Sequence, residues 1–310
     1  MTLETLDRDI LSLFSARVRG LLKAHFASRP AKVSTVMEIR LRKGLPISVV
    51  DPEGDTLLNS DPPVCDSDIE KTLALVTDSS YYALENEFAN GYITIPGGHR
   101  VGLTGQVVTW GDGTVRLREV SGFNFRIARE VKGAGEKLVP KLIGKSGRLV
   151  STLIISPPGC GKTTLLRDLC RISGQGAPEL GLRPSQVGIV DERSEIAACF
   201  RGVPQHDVGP RADVLDRCPK ARGIMMLLRS MGPDLIVTDE IGSQEDAQAV
   251  AVALAGGASV LATCHGDDLE QVRKRPYSAW VVERGYFQKA VVLSRRLGPG
   301  TLEYVGEMNR

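Results

Sequence analysis

The feature that most restricts how this chain can fold is a nine-residue segment, "SPPGCGKTT", at residues 156–164. An apolar run, "LVSTLII", precedes the segment, and a helical pattern, "TTLLRDLCRI", overlaps its end and continues beyond it. Gly159 and Gly161 permit backbone conformations that other residues avoid, so the loop can curl with its N–H groups pointing inward. A strand, a glycine-rich turn and a helix in this order predict an anion-binding loop at a helix N-terminus.

The other residue types in the segment are those that bind a nucleoside triphosphate. Lys162 can reach the β- and γ-phosphates, and the hydroxyl of Thr163 can bind Mg²⁺. The usual pattern begins with glycine where this chain has Ser156, but the later glycines, the lysine and the threonine are in register. An incidental lysine in a glycine-rich turn is the alternative interpretation. We predict that ATP is bound by the whole loop: Ser156, Pro157, Pro158, Gly159, Cys160, Gly161, Lys162, Thr163 and Thr164.

An acidic pair further along the chain supplies the partner that such a loop requires. The segment "DLIVTDEIG" has an apolar strand core that ends in Asp239 and Glu240. We predict that Asp239 holds Mg²⁺ through water, together with Thr163, and that Glu240 polarises an attacking water as a general base. Lys162 and Glu240 are then the predicted catalytic residues. A pair of acids that only ends a strand is the alternative.

Two more predicted strands end in polar residues. "VGIVDERSEI" places Asp191 and Glu192 after one strand, and "SVLATCHG" places His265 at the end of another. In parallel sheets ligands bind beyond the carboxyl ends of the strands, so we predict that all three side chains contribute to the nucleotide site. A packed or surface histidine without a ligand is the alternative for His265.

Strands and helices alternate through the second part of the chain. Strands are predicted at 150–156, 186–191, 234–239 and 258–264, with helices at 162–173, 194–200 and 244–255. This alternation predicts an α/β core with a mostly parallel sheet over residues 132–310. The pattern over residues 1–131 predicts a smaller α+β domain. We expect this domain to contribute to assembly of the oligomer and to close the nucleotide site. Its elements include one amphipathic helix over 5–26, two helices from residue 66 capped by Asp66 or Ser67, and short strands.

Composition excludes several classes of protein. With 39 Lys and Arg against 37 Asp and Glu in 310 residues, the net charge of +2 argues against nucleic acid as a partner. The apolar stretch at 247–264 is interrupted by two glycines, so it predicts a buried helix, a turn and a strand rather than a membrane span. Glu4 and Asp7 are unlike a signal peptide, and six cysteines without a CxxC pair suit a reducing compartment. We expect a cytoplasmic protein.

The order of these motifs resembles that of the type II and type IV secretion ATPases. In those proteins a phosphate loop is followed by an acidic box, a second acidic motif with upstream Leu-Arg and Pro-Asp pairs, and a histidine box. Here the pairs correspond to residues 228–229 and 233–234, Glu240 to the second acidic motif, and His265 to the histidine box. The chain departs from the family in the order of Asp191 and Glu192, and in having Gly-Ser rather than Arg-Asp at 242–243.

The resemblance extends to "EIRLRKG" and "GGHRVGLTG" in the N-terminal part, and it is strongest to a sporulation branch from spore-forming bacteria. It implies a RecA- or AAA-like P-loop core, ATP and Mg²⁺ as cofactors, and a homo-oligomeric, hexameric ring. It also implies a cytoplasmic ATPase that reaches the membrane through membrane-protein components of a secretion-like complex at the engulfed forespore stage. An arginine that stabilises the transferred phosphoryl group is then sought among Arg100, Arg126, Arg129, Arg193, Arg211 and Arg229.

Two other functions remain as alternatives. A nucleic-acid-associated P-loop ATPase would act on single-stranded DNA or RNA, and it would require a basic surface that the charge balance does not indicate. A protein that binds nucleotide without turnover would lack Asp239 or Glu240, and both are present.

Overall fold

The computed structural model describes residues 1–78, 91–109, 115–274, 282 and 284–308. The chain divides into two compact units, Met1–Arg129 and Glu130–Arg310. The second of the two helices predicted from residue 66, and the turn predicted at 112–113, lie outside the described residues.

The N-terminal unit contains short helices, three of them before its first strand and one after its third. They are α1 (Leu3–Asp9), a 3-10 turn (Leu11–Leu13), α2 (Ala16–Ser28), α3 (Pro30–Thr35) and α4 (Asp66–Val76). The prediction of a single helix over 5–26 is wrong, because Ser15 starts a new helix: its Oγ accepts the N–H of Val18 at 3.3 Å. The predicted cap of α4 is also wrong, since the N-cap residue is Cys65 and its N–H donates to Asp68.

A six-stranded antiparallel sheet completes this unit. Its strands are β1 (Glu38–Arg42), β2 (Ile47–Asp51), β3 (Gly54–Leu58), β4 (Tyr92–Ile95), β5 (His99–Thr109) and β6 (Val115–Arg126). They lie in the order β3-β2-β1-β6-β5-β4. Alternate residues such as Ile39, Leu41 and Phe125 are buried in one core with apolar residues of the helices. This period-two burial is what a sheet with a single covered face requires.

The C-terminal unit is built on a seven-stranded sheet in the order β13-β12-β7-β11-β10-β8-β9. All neighbouring strands are parallel except the edge pair β12 and β13, so the predicted α/β core with a mostly parallel sheet is confirmed. The strands are β7 (Thr152–Ser156), β8 (Val187–Asp191), β9 (Ala212–Asp216), β10 (Leu235–Glu240), β11 (Ser259–His265), β12 (Lys289–Ser294) and β13 (Thr301–Glu307). The helices are α5 (Val139–Leu142), α6 (Lys162–Gln175), α7 (Lys220–Ser230), α8 (Gln244–Ala255) and α9 (Leu269–Arg273).

The central strands β7 and β8 are buried along their whole length, because helices and loops cover both faces of the sheet. The stretch at 247–264 is the predicted helix, turn and strand: α8 ends at Ala255, Gly257 has φ +89°, and β11 starts at Ser259. No helix in the described part of the chain is both long and apolar enough to cross a membrane.

The segment after β8 is not the helix that was predicted over 194–200. The carboxylate of Asp191 accepts the N–H groups of residues 195–197 at 2.7–2.9 Å. The guanidinium of Arg167 donates to the carbonyls of residues 195 and 196 at 2.7 and 2.5 Å. Since buried side chains satisfy these backbone groups, the segment does not need helical hydrogen bonds. Ser194, with φ +54°, lies in the left-handed region that breaks a helix.

Candidate functional site

The loop at residues 156–164 joins β7 to α6 and curls as its glycines require. Gly159 has φ +70° and Gly161 has φ +86°, conformations that an L-residue adopts only at a cost. Gly161 is the N-cap residue of α6, a helix of 14 residues. The first N–H groups of this helix, which have no partners within the helix, therefore lie at the loop. The positive end of the helix dipole lies there too.

The ammonium group of Lys162 lies across this loop. Its Nζ donates to the carbonyl oxygens of Ser156 at 2.9 Å and Pro157 at 3.1 Å. It also lies 3.3 Å from Oγ of Ser156 and 3.1 Å from Nδ1 of His265. Lys162 is buried, and burial lowers the pKa of its amine.

The imidazole of His265 links this lysine to Glu240. Its Nε2 lies 3.1 Å from Oε2 of Glu240. An ammonium group can only donate, so Nδ1 of His265 accepts from Lys162 and Nε2 carries the proton that is donated to Glu240. Lys162, His265 and Glu240 thus form one hydrogen-bonded chain between three predicted motifs.

Asp239 occupies a different environment from its neighbour Glu240. Burial raises the pKa of the Asp239 carboxyl to about 6, against the opposing effect of Lys220, whose Nζ forms an ion pair with Oδ1 at 3.0 Å. Lys220 also contacts the carboxylate of Glu192. Burial alone would lower the pKa of Lys220, but Glu192 and Asp239 outweigh it and raise the pKa. Sequence reasoning missed Lys220, since no spacing or motif marks it.

These side chains surround a cavity of about 480 Å³ within the C-terminal unit. Its walls are formed by the phosphate loop, by the ends of β10 and β11, and by the segment after β8. The residues that line it are Pro158, Gly159, Gly161, Lys162, Thr163, Thr164, Arg193, Glu195, Asp239, Glu240, Thr263, His265 and Pro299. The carboxyl ends of the strands therefore meet as the sequence predicts, and nine of the predicted site residues lie together here.

The other five predicted residues do not line the cavity: the carbonyl of Pro157 accepts from Lys162, and Glu192 is exposed and contacts Lys220. Ser156 is buried and its Oγ donates to the carbonyl of Pro157, while Cys160 is buried in the core. Asp191 is fully buried, and its carboxylate holds the segment 195–197. Burial raises the pKa of Asp191, although these N–H donors favour its ionised form. Asp191 therefore shapes the segment that brings Arg193 and Glu195 to the cavity.

The six candidate arginines differ in their surroundings. Arg193 lines the cavity. Arg129 and Arg211 donate to backbone carbonyls within their own units. In the N-terminal unit, Arg100 stacks on Tyr92 and Arg126 lies 3.7 Å from Glu38, while Arg229 is exposed on α7. Within the C-terminal unit, Arg193 is thus the candidate nearest the predicted chemistry.

The turn between β12 and β13 packs on the phosphate loop, a contact that sequence reasoning also missed. Nε of Arg295 donates to the carbonyl of Gly159 at 3.0 Å. The N–H of Gly300 donates to the carbonyl of Cys160, also at 3.0 Å. A side chain at Gly159 would collide with the guanidinium, because its Cβ would lie 1.9 Å from Nη2 of Arg295. The β12–β13 turn therefore supports the phosphate loop at the carbonyls of Gly159 and Cys160.

The groups that face this cavity fit a magnesium–nucleotide complex. The glycine-rich loop, the helix N-terminus and Lys162 favour a polyphosphate. The hydroxyl of Thr163 and the carboxylate of Asp239 are hard oxygen donors of the kind that Mg²⁺ prefers, and both line the same cavity.

Solved structures share this fold at low sequence identity. The pilus retraction motor PilT, solved with bound ADP, aligns with a TM-score of 0.59 and 16% identity over 86% of this chain and 76% of that chain. The ATPase DotB from Legionella pneumophila aligns with a TM-score of 0.55 and 14% identity over 87% of this chain and 75% of that chain. The chain thus has the fold of the secretion ATPases, a P-loop core preceded by an N-terminal domain.

Sequence comparison narrows this class to one family. The chain belongs to the family described as "Sporulation stage III, protein AA", whose sequence profile matches residues 4–309. "Stage III sporulation protein AA" of Bacillus subtilis (strain 168) is 44% identical over 270 residues, which are 87% of this chain and 86% of that protein. The resemblance to a sporulation branch of the secretion ATPases is thereby confirmed.

Proposed function

We propose that this protein hydrolyses ATP in a Mg²⁺-dependent reaction and works as the oligomeric motor of a membrane export complex during sporulation. The observation that carries the proposal is the arrangement of Lys162, Thr163, Asp239 and Glu240 around one cavity at the carboxyl ends of parallel strands. Family membership and the fold shared with secretion ATPases support the same assignment.

Each residue then has a distinct role. The loop N–H groups and Lys162 hold the phosphates, and Lys162 turns from the carbonyls of its own loop to do so. Thr163 and Asp239 hold Mg²⁺, which neutralises charge that develops on the phosphates. Glu240 orients and polarises the attacking water, and His265 fixes the carboxylate of Glu240 through Nε2. Arg193 is placed to stabilise the phosphoryl group as charge develops.

The partners in this proposal are further copies of the chain and membrane proteins of the sporulating cell. A ring, hexameric by resemblance, would complete each site with residues from a neighbouring copy. The protein would be cytoplasmic and would reach the membrane through its partners. Chromatography with light scattering, with and without ATP, tests the ring. Recovery of a monomer at every concentration of protein and nucleotide would contradict it.

Turnover of ATP by the purified protein is the primary test. Lys162→Ala should lose nucleotide binding or turnover, and Glu240→Gln should bind ATP but turn it over at least about a hundredfold more slowly. Lys141→Ala and Glu245→Gln, which alter exposed residues of the same types, are the matched controls and should behave as wild type. Normal turnover by Glu240→Gln would refute the role of Glu240.

The same assay separates the alternative function. Turnover by the wild-type protein is measured with and without single-stranded DNA or RNA, and the Lys162→Ala protein serves as the blank. Turnover unaffected by nucleic acid agrees with an export motor. Strong stimulation by nucleic acid would favour the nucleic-acid-associated ATPase and overturn the export assignment.

A further inference from the structure

Lys220 connects two of the predicted motifs without belonging to either. It is the first residue of α7, and only 7% of its surface is exposed. Its Nζ forms an ion pair with Oδ1 of Asp239 at 3.0 Å, and it also contacts the carboxylate of Glu192. The lysine therefore joins the end of β10 to the end of β8 from a third element of the fold.

This position is unfavourable for a lysine in two respects. A positive charge in the first turn of a helix opposes the helix dipole, which favours acidic residues there. Burial of an ammonium group removes its hydration, which only close partners of opposite charge can replace. Glu192 and Asp239 supply those partners, so the arrangement is a compact charge cluster rather than a solvated surface pair.

The residues that line the cavity show which member of this charge cluster faces the predicted nucleotide site. Asp239 is among the described residues that line the cavity, and Lys220 lies behind it. The contact between Nζ of Lys220 and Oδ1 of Asp239 is an ion pair without hydrogen-bond geometry, and its electrostatic attraction favours the orientation that keeps Oδ1 beside the ammonium group. Groups behind a metal ligand commonly orient it, and their loss weakens metal binding.

We propose that Lys220 is a positioning residue that fixes Asp239 for Mg²⁺, and that Glu192 in turn holds Lys220. This inference rests on the proposed function, and it gives Glu192 a role that differs from direct contact with nucleotide. Lys220 acts through Asp239, so its removal should weaken metal binding while leaving the binding of metal-free nucleotide unchanged.

The test is the affinity for Mn²⁺, a paramagnetic stand-in for Mg²⁺, of the full-length protein loaded with ADP. Free Mn²⁺ is followed by electron paramagnetic resonance for wild type, Lys220→Met and Lys220→Arg. Arg222→Met is the matched control, since Arg222 is an exposed cation two residues further along the same helix. Binding of metal-free ADP is measured in parallel with a fluorescent analogue.

We expect Lys220→Met to weaken Mn²⁺ binding at least about tenfold, with Lys220→Arg recovering most of the affinity. The Mg²⁺ concentration for half-maximal turnover should rise to a similar degree, while the KM for ATP at saturating Mg²⁺ stays the same. Arg222→Met should match wild type. A folded Lys220→Met protein with unchanged Mn²⁺ affinity would overturn the inference.

A second variant and a wild-type control complete this test. If Lys220→Met does not fold, Glu192→Gln replaces it, because the side chain of Glu192 is partly exposed and a smaller loss of Mn²⁺ affinity is expected. Unchanged affinity in that variant would also overturn the inference. Wild-type protein that binds neither ADP nor Mn²⁺·ADP would instead refute the proposed function itself.

Discussion

A single methyl group at Gly159 should test whether Arg295 supports the phosphate loop. In Gly159→Ala the new Cβ would lie 1.9 Å from Nη2 of Arg295, so the arginine must swing away. The side chain is exposed and flexible, and the move costs only its hydrogen bond to the carbonyl of residue 159. Residue 159 must in addition keep its φ of +70° with a side chain present.

The two costs can be separated. Holding alanine in the left-handed region costs about 1 kcal/mol. Loss of the Arg295 hydrogen bond adds up to about 1 kcal/mol. Gly159→Ala should therefore lower the free energy of unfolding by about 2 kcal/mol in wild type, and by about 1 kcal/mol when Arg295 is already alanine. Gly181→Ala is the control: Gly181 has φ +74° with no atom within 4 Å of the new Cβ, so its cost should be the same in both backgrounds.

Equilibrium urea unfolding of these variants measures the difference, and hydrogen–deuterium exchange of the peptide 152–175 localises it. Gly159→Ala should also weaken nucleotide binding, because the curled conformation of the loop becomes less favourable. If Gly159→Ala costs the same free energy with and without Arg295, the reasoning about this contact is refuted.

Three further substitutions test how each unit is held together. Asp191→Asn replaces one of the two oxygens that accept the N–H groups of 195–197 with an NH2 donor and should cost about 2 kcal/mol, with faster hydrogen exchange in that segment. Asp68→Asn breaks the partly buried ion pair with Arg17 and should cost about 2 kcal/mol in thermal or urea unfolding. Burial would raise the pKa of Asp68, but Arg17 and a serine outweigh it and hold the pKa well below its usual range. The stability from Asp68 is therefore present above about pH 4 and is lost as the pH falls further, so Asp68→Asn should flatten that dependence. Ser243→Ala removes the N-cap of α8 and should cost about 1 kcal/mol, which Ser243→Thr largely avoids.

For each of these three predictions, one result would contradict the expectation. Unchanged exchange at 195–197 in Asp191→Asn would mean that Arg167 alone holds the segment. An Asp68→Asn protein whose melting temperature still falls steeply below pH 4 would place the acid sensitivity elsewhere. Equal losses for Ser243→Ala and Ser243→Thr would show that packing, not capping, matters there.

Several elements could be predicted from local signals in the sequence alone. The strand, glycine loop and helix around residue 160 follow from neighbouring residues alone. The helix that was predicted at 244–255 has those bounds in the structure, because Ser243 caps its start and two glycines follow its end. The convergence of Lys162, Asp239 and His265 also followed, since parallel strands bring their carboxyl ends to one edge.

What could not be predicted depends on residues far apart in the chain. Arg295 meets the carbonyl of a glycine 136 positions earlier, and no local pattern marks that pairing. Lys220 looks like any lysine that starts a helix. The segment after β8 was predicted as a helix because strands and helices alternate in this part of the chain, but Arg167 and Asp191 form hydrogen bonds with its backbone groups. In each case a tertiary contact decided the outcome.

The packing of the β12–β13 turn on the phosphate loop has a consequence for the order in which the site forms during translation. Strand β7 and its loop leave the ribosome well before β12, which pairs with β7, and before Gly300, which bonds to Cys160. Until residues 289–300 have been synthesised, β7 lacks one neighbour and the loop lacks its outer support. We expect nascent chains that stop short of this turn to hold nucleotide poorly, and the competent site to form as one of the last events of folding.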